Sequence, residues 1–397
     1  MSADSRSSVA ELFGCFLKLG CLAFGGPVAH LGYFQIEFVQ KRRWLTDADY
    51  ADLVALCQFL PGPASSQVGY AIGLQRGGFW GGAAAWLGFT LPSAILMIGF
   101  AVGLAWAGDI ADAGWVTGLK LAAVAVVAHA LRGMAVKLCP DRERALLALG
   151  GAALLAVTTG AIWQVVVIAS GGLAGWMLFR TKIPDRSERE KLADAKPNHG
   201  WGWLVLFSGG LLVLPGLAGW RSGEMLTVID GFYRAGSLVF GGGHVVLPLL
   251  DEFTVGQGWV GADTFLAGYG AAQALPGPLF AFTSFLGASI SVGPGGVAGG
   301  VLALVATYVP SWLLILGAMP YWDRLRQLRT AQAALMGANA AVVGLLLAAF
   351  FDPIWSSAIT GPSRLAFALV AFGTLRFGKL PPWALVLGCG AVGAVVF

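Results

Sequence analysis

Two basic residues stand inside apolar stretches at matching places: Lys18 in Phe16-Leu-Lys-Leu-Gly-Cys-Leu-Ala-Phe-Gly-Gly26 and Arg234 in Phe232-Tyr-Arg-Ala-Gly-Ser-Leu-Val-Phe-Gly-Gly242. Six of the eleven aligned positions are identical. A cation near the centre of a bilayer costs at least about 2.5–3.5 kcal/mol. Two in register therefore imply either snorkelling toward headgroups or a pair of cations facing an anion in a central cavity. Each cation precedes a glycine break, Phe24-Gly25-Gly26-Pro27 or Phe240-Gly241-Gly242-Gly243, with His30 and His244 shortly after. A second break follows in each copy, Gln58-Phe-Leu-Pro61-Gly62-Pro63 and Gln273-Ala-Leu-Pro276-Gly277-Pro278. Pro-Gly-Pro cannot continue a helix. Each break thus starts a helix whose free N–H groups and positive dipole end suit an oxyanion.

After the first Pro-Gly-Pro, Ser65 and Ser66 add hydroxyls; after the second come Leu279-Phe-Ala-Phe282, then Thr283 and Ser284. The first copy is the better ligand site. The expected substrate-binding set is Lys18, Phe24, Gly25, Gly26, Gln58, Pro61, Gly62, Pro63, Ser65, Ser66, Arg234, Gly241, Gly242, Gly243, His244, Gln273, Pro276, Gly277 and Pro278. Gln58 and Gln273 either donate to the anion or bond the broken backbone. Glu37, Glu252 and His30 are candidates for proton coupling, against solvated carboxylates and a satisfied helix-end histidine. Lys120 aligns with Asn339 and adds positive potential on one side only. The five Cys form no CxxC pair and the four His show no metal-ligand spacing, so neither a metal nor a cofactor is expected.

The elements that hold these residues follow from composition. The 397 residues are 57% hydrophobic and only 12% charged, with mean hydropathy +0.74, about half the charge of a soluble domain. A soluble enzyme and a nucleic-acid binder are excluded. The segments are helical in length, without the alternation of an outer-membrane barrel. The fold class expected is all-α, a polytopic helical membrane protein built from two inverted-topology repeats with broken or re-entrant helices. Met1 to Ala10 lack the pattern of a cleaved signal peptide. No Gly-x-Ser-x-Gly, HExxH or intramembrane Asp pair occurs, so no enzyme is expected.

The repeat continues at an offset of 215, with Glu37 over Glu252 and Trp44 over Trp259, and Leu91-Pro92-Ser93 matches Val309-Pro310-Ser311. The division is a first repeat, 1–179; a charged cytoplasmic linker, 180–200; one extra connecting span, 201–218; and a second repeat, 219–397. One added helix after an even number of crossings turns the second copy over. Charge gives the same orientation by the positive-inside rule. The loops at Lys41–Arg43, Arg76, Lys137–Arg144, the linker, Arg324–Arg329 and Arg376 with Lys379 hold 18 of the 25 Lys and Arg. The alternate loops are assigned Asp109, Asp112, Glu224, Asp230, Asp251, Glu252, Asp263 and Asp352. Placing Lys41–Arg43 inside requires Pro61-Gly62-Pro63 to be the tip of a re-entrant hairpin.

With these motifs in place, the chain resembles the two-domain form of the chromate ion transporter family. Phe-Gly-Gly-Pro with Gln-x-Leu-Pro-Gly-Pro in the first half, and Phe-Gly-Gly-Gly-His with the same Pro-Gly-Pro motif in the second, carry the resemblance over roughly Glu11 to Phe397. It implies a bacterial multi-pass inner-membrane protein that exports chromate, with two homologous halves of opposed orientation. Sulfate is the close structural analogue. Uptake of sulfate or another oxyanion and a passive anion channel are the alternatives, and assembly as a homodimer is left open. The expected partners are chromate and the lipid bilayer, with no nucleic acid.

Overall fold

In the computed structural model the described residues are 7–107, 113–158, 160–183, 200–221, 223–240, 243–325, 328–378 and 380–397, and they form helices and connections without strands. Gly241 and Gly242, most of the linker (184–199), and Asp109, Asp112, Arg326 and Lys379 lie outside them.

The first half runs α1 (Val9–Leu22), α2 (Gly26–Phe34) with a π-helical turn (Gln35–Lys41), α3 (Asp47–Phe59), α4 (Ala64–Ala107), α5 (Gly114–Leu138), α6 (Arg142–Val157) and α7 (Ala161–Phe179). α8 (Trp201–Arg221) follows alone. The second half repeats the order: α9 (Glu224–Ser237), α10 (Val246–Thr254), α11 (Ala262–Ala274), α12 (Phe282–Ser289), α13 (Gly296–Ala318), the short α14 (Trp322–Leu325), α15 (Arg329–Ala349), the short α16 (Ser356–Ala358), α17 (Pro362–Phe377) and α18 (Pro382–Val396). Local chemistry sets several starts. Ser8 caps α1, Thr46 forms a capping box with Asp49 at α3, and Asp141 caps α6, each satisfying an orphan N–H group. The bond from Arg144 holds the Asp141 carboxyl below the usual carboxylate range.

Among the described residues, six helical stretches are long and apolar enough to cross a membrane: Ala64–Ala107, Gly114–Leu138, Ile162–Phe179, Trp201–Gly219, Gly296–Tyr321 and Arg329–Ala358. The 14 residues of α1 and 13 of α3 reach only about 20 Å at 1.5 Å per residue, short of a ~30 Å hydrocarbon core. They belong to hairpins that return to one end. Arg42, beyond the π turn, bonds Glu11 at the start of α1 (3.0 Å). The Ser7 N–H donates to the Arg76 carbonyl, where α4 breaks at Gly77–Gly78, and the Arg76 guanidinium lies over Trp44. The chain thus leaves and regains this end twice, with tips at Gly25–Gly26 and Pro61-Gly62-Pro63.

The second half closes in the same way. Glu224 at the start of α9 accepts from Gly293 N–H (3.0 Å), and the Ser291 N–H donates to the Trp259 carbonyl (3.0 Å). A ring cluster of Phe16, Phe34, Phe38 and Phe89 binds the first hairpins to α4. Phe265, Tyr269, Phe282 and Phe285 gather α11 and α12.

The two halves interlock reciprocally. α7 packs on α15 and α18 on α5, with Gly171 and Gly175 against Gly337 and with Gly114 and Gly118 against Gly393 and Cys389. Such small-residue contacts bring helix backbones together in a bilayer. α4 and α13 pass each other in opposite directions: the Trp86 ring meets Trp312 (4.7 Å), whereas Ile98 meets Gly300. Basic groups gather at the first hairpins' base and at the α5–α6 turn, where Lys182 bonds Glu143 (2.8 Å). One assignment needs correction: Asp230, Asp251, Glu252 and Asp263 lie within helices, because their neighbours keep helical apolar spacing and only the ends of these helices are turns.

Candidate functional site

The four helix breaks meet crosswise between the halves. The Gly62 N–H donates to the Val239 carbonyl (2.7 Å), just before the second glycine break, and the Gly277 N–H donates to the Ala23 carbonyl (2.9 Å), just before the first. These are equivalent bonds exchanged between repeats. Gly25 (φ 101°), Gly26 (φ 77°), Gly62 (φ 124°) and Gly277 (φ 89°) all occupy positive φ, which explains glycine at the tips. Gly243 packs against Pro27, its own repeat equivalent, so an approximate two-fold relation passes between these residues. α2 starts at Gly26 with no side-chain cap, α4 starts after Pro63, and Pro278 precedes the turn into α12. Each start leaves N–H groups for another partner.

Buried polar side chains surround the first Pro-Gly-Pro. Gln67 Nε2 donates to the Pro61 carbonyl (2.8 Å). Ser66 lies 3.4 Å from the Tyr308 hydroxyl. Ser311 sits beside Gly62, as Ser93 sits beside Gly277. Among the described residues, the Ser311 hydroxyl is a buried donor without a hydrogen-bond partner. Unpaired buried donors are uncommon and invite a ligand.

His30 Nε2 donates to the Ala23 carbonyl (3.1 Å), and its Nδ1 lies 3.4 Å from Ser65. The ring holds the same carbonyl that receives Gly277, so His30 braces the tip. His244 Nδ1 is 2.7 Å from the Tyr269 hydroxyl. Pro61, Pro63, Pro276 and Pro278 flank the two tip glycines, and the Phe24 ring meets Trp383 at a tilt (5.6 Å).

Other expected residues stand elsewhere. Arg234 pairs with Asp230 one turn earlier and lies over Phe253 (4.6 Å). It is therefore no free cation for a ligand. Lys18 is not buried but on the exposed face of α1, and no ion pair is formed by it among the described residues. Its repeat neighbour of Asp230 is Gly14, which cannot pair with it. Gln58 is exposed. Glu37 is held by Arg42 (2.8 Å) and Lys41 (3.7 Å) at the hairpin base, away from the tips. Glu252 is partly buried in α10.

Sequence reading missed Gln67, Tyr308 and Asp230, and it noted Ser93 and Ser311 only as repeat markers. Asp230 was detectable as an acid four residues before Arg234. Tyr308 and Gln67 give no such signal, because their repeat counterparts are Thr90 and Phe282. Lys120 proves to be 5% exposed and bonded across the halves to Asp263 (2.7 Å).

The model of the family described as "Chromate transporter" matches residues 10–176 and 226–394. A chromate transport protein of Pseudomonas aeruginosa is 27% identical over 98% of this chain and 93% of its own length. One from Cupriavidus metallidurans is 27% identical over 98% and 94%, and a probable chromate transport protein of Synechococcus elongatus is 26% identical over 98% and 96%. No solved structure matches.

Proposed function

Because the chain belongs to the chromate transporter family, we propose that it exports chromate across the bacterial inner membrane by alternating access, with 1–179 and 219–397 as inverted repeats. The anion binds where the four breaks meet, and Lys18 lends it positive charge on approach. The observation that carries this reading is the crosswise bonding of Gly62 to Val239 and Gly277 to Ala23. It gathers several helix N-termini and the unpaired Ser311 hydroxyl around one place. Opposed directions of α4 and α13 support the inversion. A transporter rather than an enzyme is the reading that family membership supports.

Direction follows from charge. A dianion leaving an inside-negative cell moves downhill by about 4.6 kcal/mol per 100 mV, twice the value for one charge. Export therefore needs no coupled ion. Glu37, engaged by two cations, and His30, committed to a tip carbonyl, are structural in this reading and carry no protons.

The test is radiolabelled chromate uptake into inside-out vesicles at imposed potentials, with sulfate as competitor. Saturable accumulation driven by a lumen-positive potential is the expected result. Accumulation of sulfate alone would overturn the substrate, and flux without saturation or counterflow would make the protein a channel.

A further inference from the structure

The two halves match in their tip contacts and helix clasps, yet not in every equivalent interface. α11 packs on α5, with Gly270 close against the Leu119 carbonyl. Along this helix Leu266, Ala267 and Gly270 are buried. The repeat equivalents on α3 are Ala51, Asp52 and Ala55, and α3 packs on α4 and the π turn instead. Ala51, Ala55 and Gln58, spaced to share one helix face, are exposed. Exposed positions on the long apolar helices elsewhere carry large apolar groups such as Ile95, Leu212 and Val213. An exposed row of Ala, Ala and Gln is instead suited to water. On the opposite side of α3, a cavity of about 380 Å³ lies between Asp49, Asp52 and Leu56, Gln75, and Met319 with Trp322. The α3 face runs from the basic end of the molecule to Gln58, three residues before the Pro61-Gly62-Pro63 tip.

The buried α5–α11 interface carries the Lys120–Asp263 ion pair, with the lysine 5% and the aspartate 46% exposed. The equivalent positions on the other side are Asn339 and Ala48, which cannot form an ion pair. The pair therefore stabilises closure on one side only. An interaction present in one of two states shifts the population toward that state.

We propose that Lys120 and Asp263 form a one-sided latch that holds the outer gate, α5 against α11, shut and makes the inward-open form the resting state, with the α3 face as the cytoplasmic entry path for the anion. In the alternate state α3 docks on α15 and α11 leaves α5. Lys120 and Asp263 are positioning residues: they set which side is open without binding the anion. The inference rests on the alternating-access reading above.

The experiment uses full-length protein in which the native cysteines are replaced and single cysteines are placed at Ala55 or Ala267. Labelling with a membrane-impermeant maleimide is followed in whole cells and in inside-out vesicles. With the latch intact, Ala55→Cys labels only from the cytoplasmic face and Ala267→Cys from neither. With Lys120→Ala added, Ala267→Cys labels from outside about fivefold faster, as for loss of a half-exposed ion pair from one of two states, and Ala55→Cys labels more slowly. The charge-swapped pair Lys120→Asp with Asp263→Lys restores the first pattern. Unchanged labelling after Lys120→Ala overturns the latch. So does faster labelling of both cysteines together, which marks loosened packing instead of a shifted equilibrium. Because labelling needs no substrate, a reciprocal shift without chromate flux would refute the substrate and leave the latch, whereas saturable flux without the shift would refute the latch alone.

Discussion

At the scale of single residues, the two repeat-matched cations have parted roles. Asp230 is only 3% exposed and depends on Arg234, which is 29% exposed. Removing Arg234 strands a buried carboxylate, and Arg234→Ala is expected to destabilise by about 3–5 kcal/mol. Asp230→Asn leaves a cation that still reaches water and costs about 1–2 kcal/mol. Thermal unfolding in detergent and abundance in the membrane check both, and the double variant should recover most of the loss. Wild-type stability of Arg234→Ala would show that the pair is not structural. Lys18, exposed and outside any ion pair, behaves differently. Lys18→Ala should leave abundance unchanged and weaken apparent chromate affinity about two- to fivefold, the effect of losing one solvent-exposed charge on the approach path. Saturation kinetics in vesicles measure it.

At the scale of elements, the hairpin tips rest on glycines that no other residue replaces easily. Gly62 sits at φ 124° with the Ser311 hydroxyl and the Gln67 amide where a side chain would go, and Gly277 at φ 89° meets Ser93. Gly62→Ala and Gly277→Ala should each cost about 1–3 kcal/mol from backbone strain and lower transport alike, since each carries one of two reciprocal bonds. Gly209→Ala in α8 is the control. Nothing lies near its Cβ, and alanine in a helix interior should be neutral or stabilising by up to about 1 kcal/mol. Differential scanning fluorimetry of the three variants separates tip strain from a general intolerance of added methyl groups.

At the scale of the whole molecule, neither half completes its own packing. α7 needs α15, α18 needs α5, and each tip bonds the other half's break. Two chains divided within 184–199 should therefore assemble when produced together, and each alone should be degraded or aggregate. Co-purification and vesicle transport check this. A first half that is stable and monodisperse alone would contradict it.

Much of this was legible from local rules. Composition fixed a helical membrane protein, and the recurrence of Phe-Gly-Gly and Gln-x-Leu-Pro-Gly-Pro located all four breaks, because proline and glycine act on the backbone where they stand. The hairpin at Pro61-Gly62-Pro63 was favoured because Pro-Gly-Pro cannot continue a helix, and the inside placement of Lys41–Arg43 required it. What the sequence by itself could not determine is which groups meet across the repeat. That Gly62 answers Val239, that Arg234 is neutralised while Lys18 is not, and that Lys120 finds Asp263 143 residues away depend on long-range packing. A matched position guarantees a similar backbone, but the partner beside each side chain comes from a different stretch of chain, and only the tertiary structure brings it there.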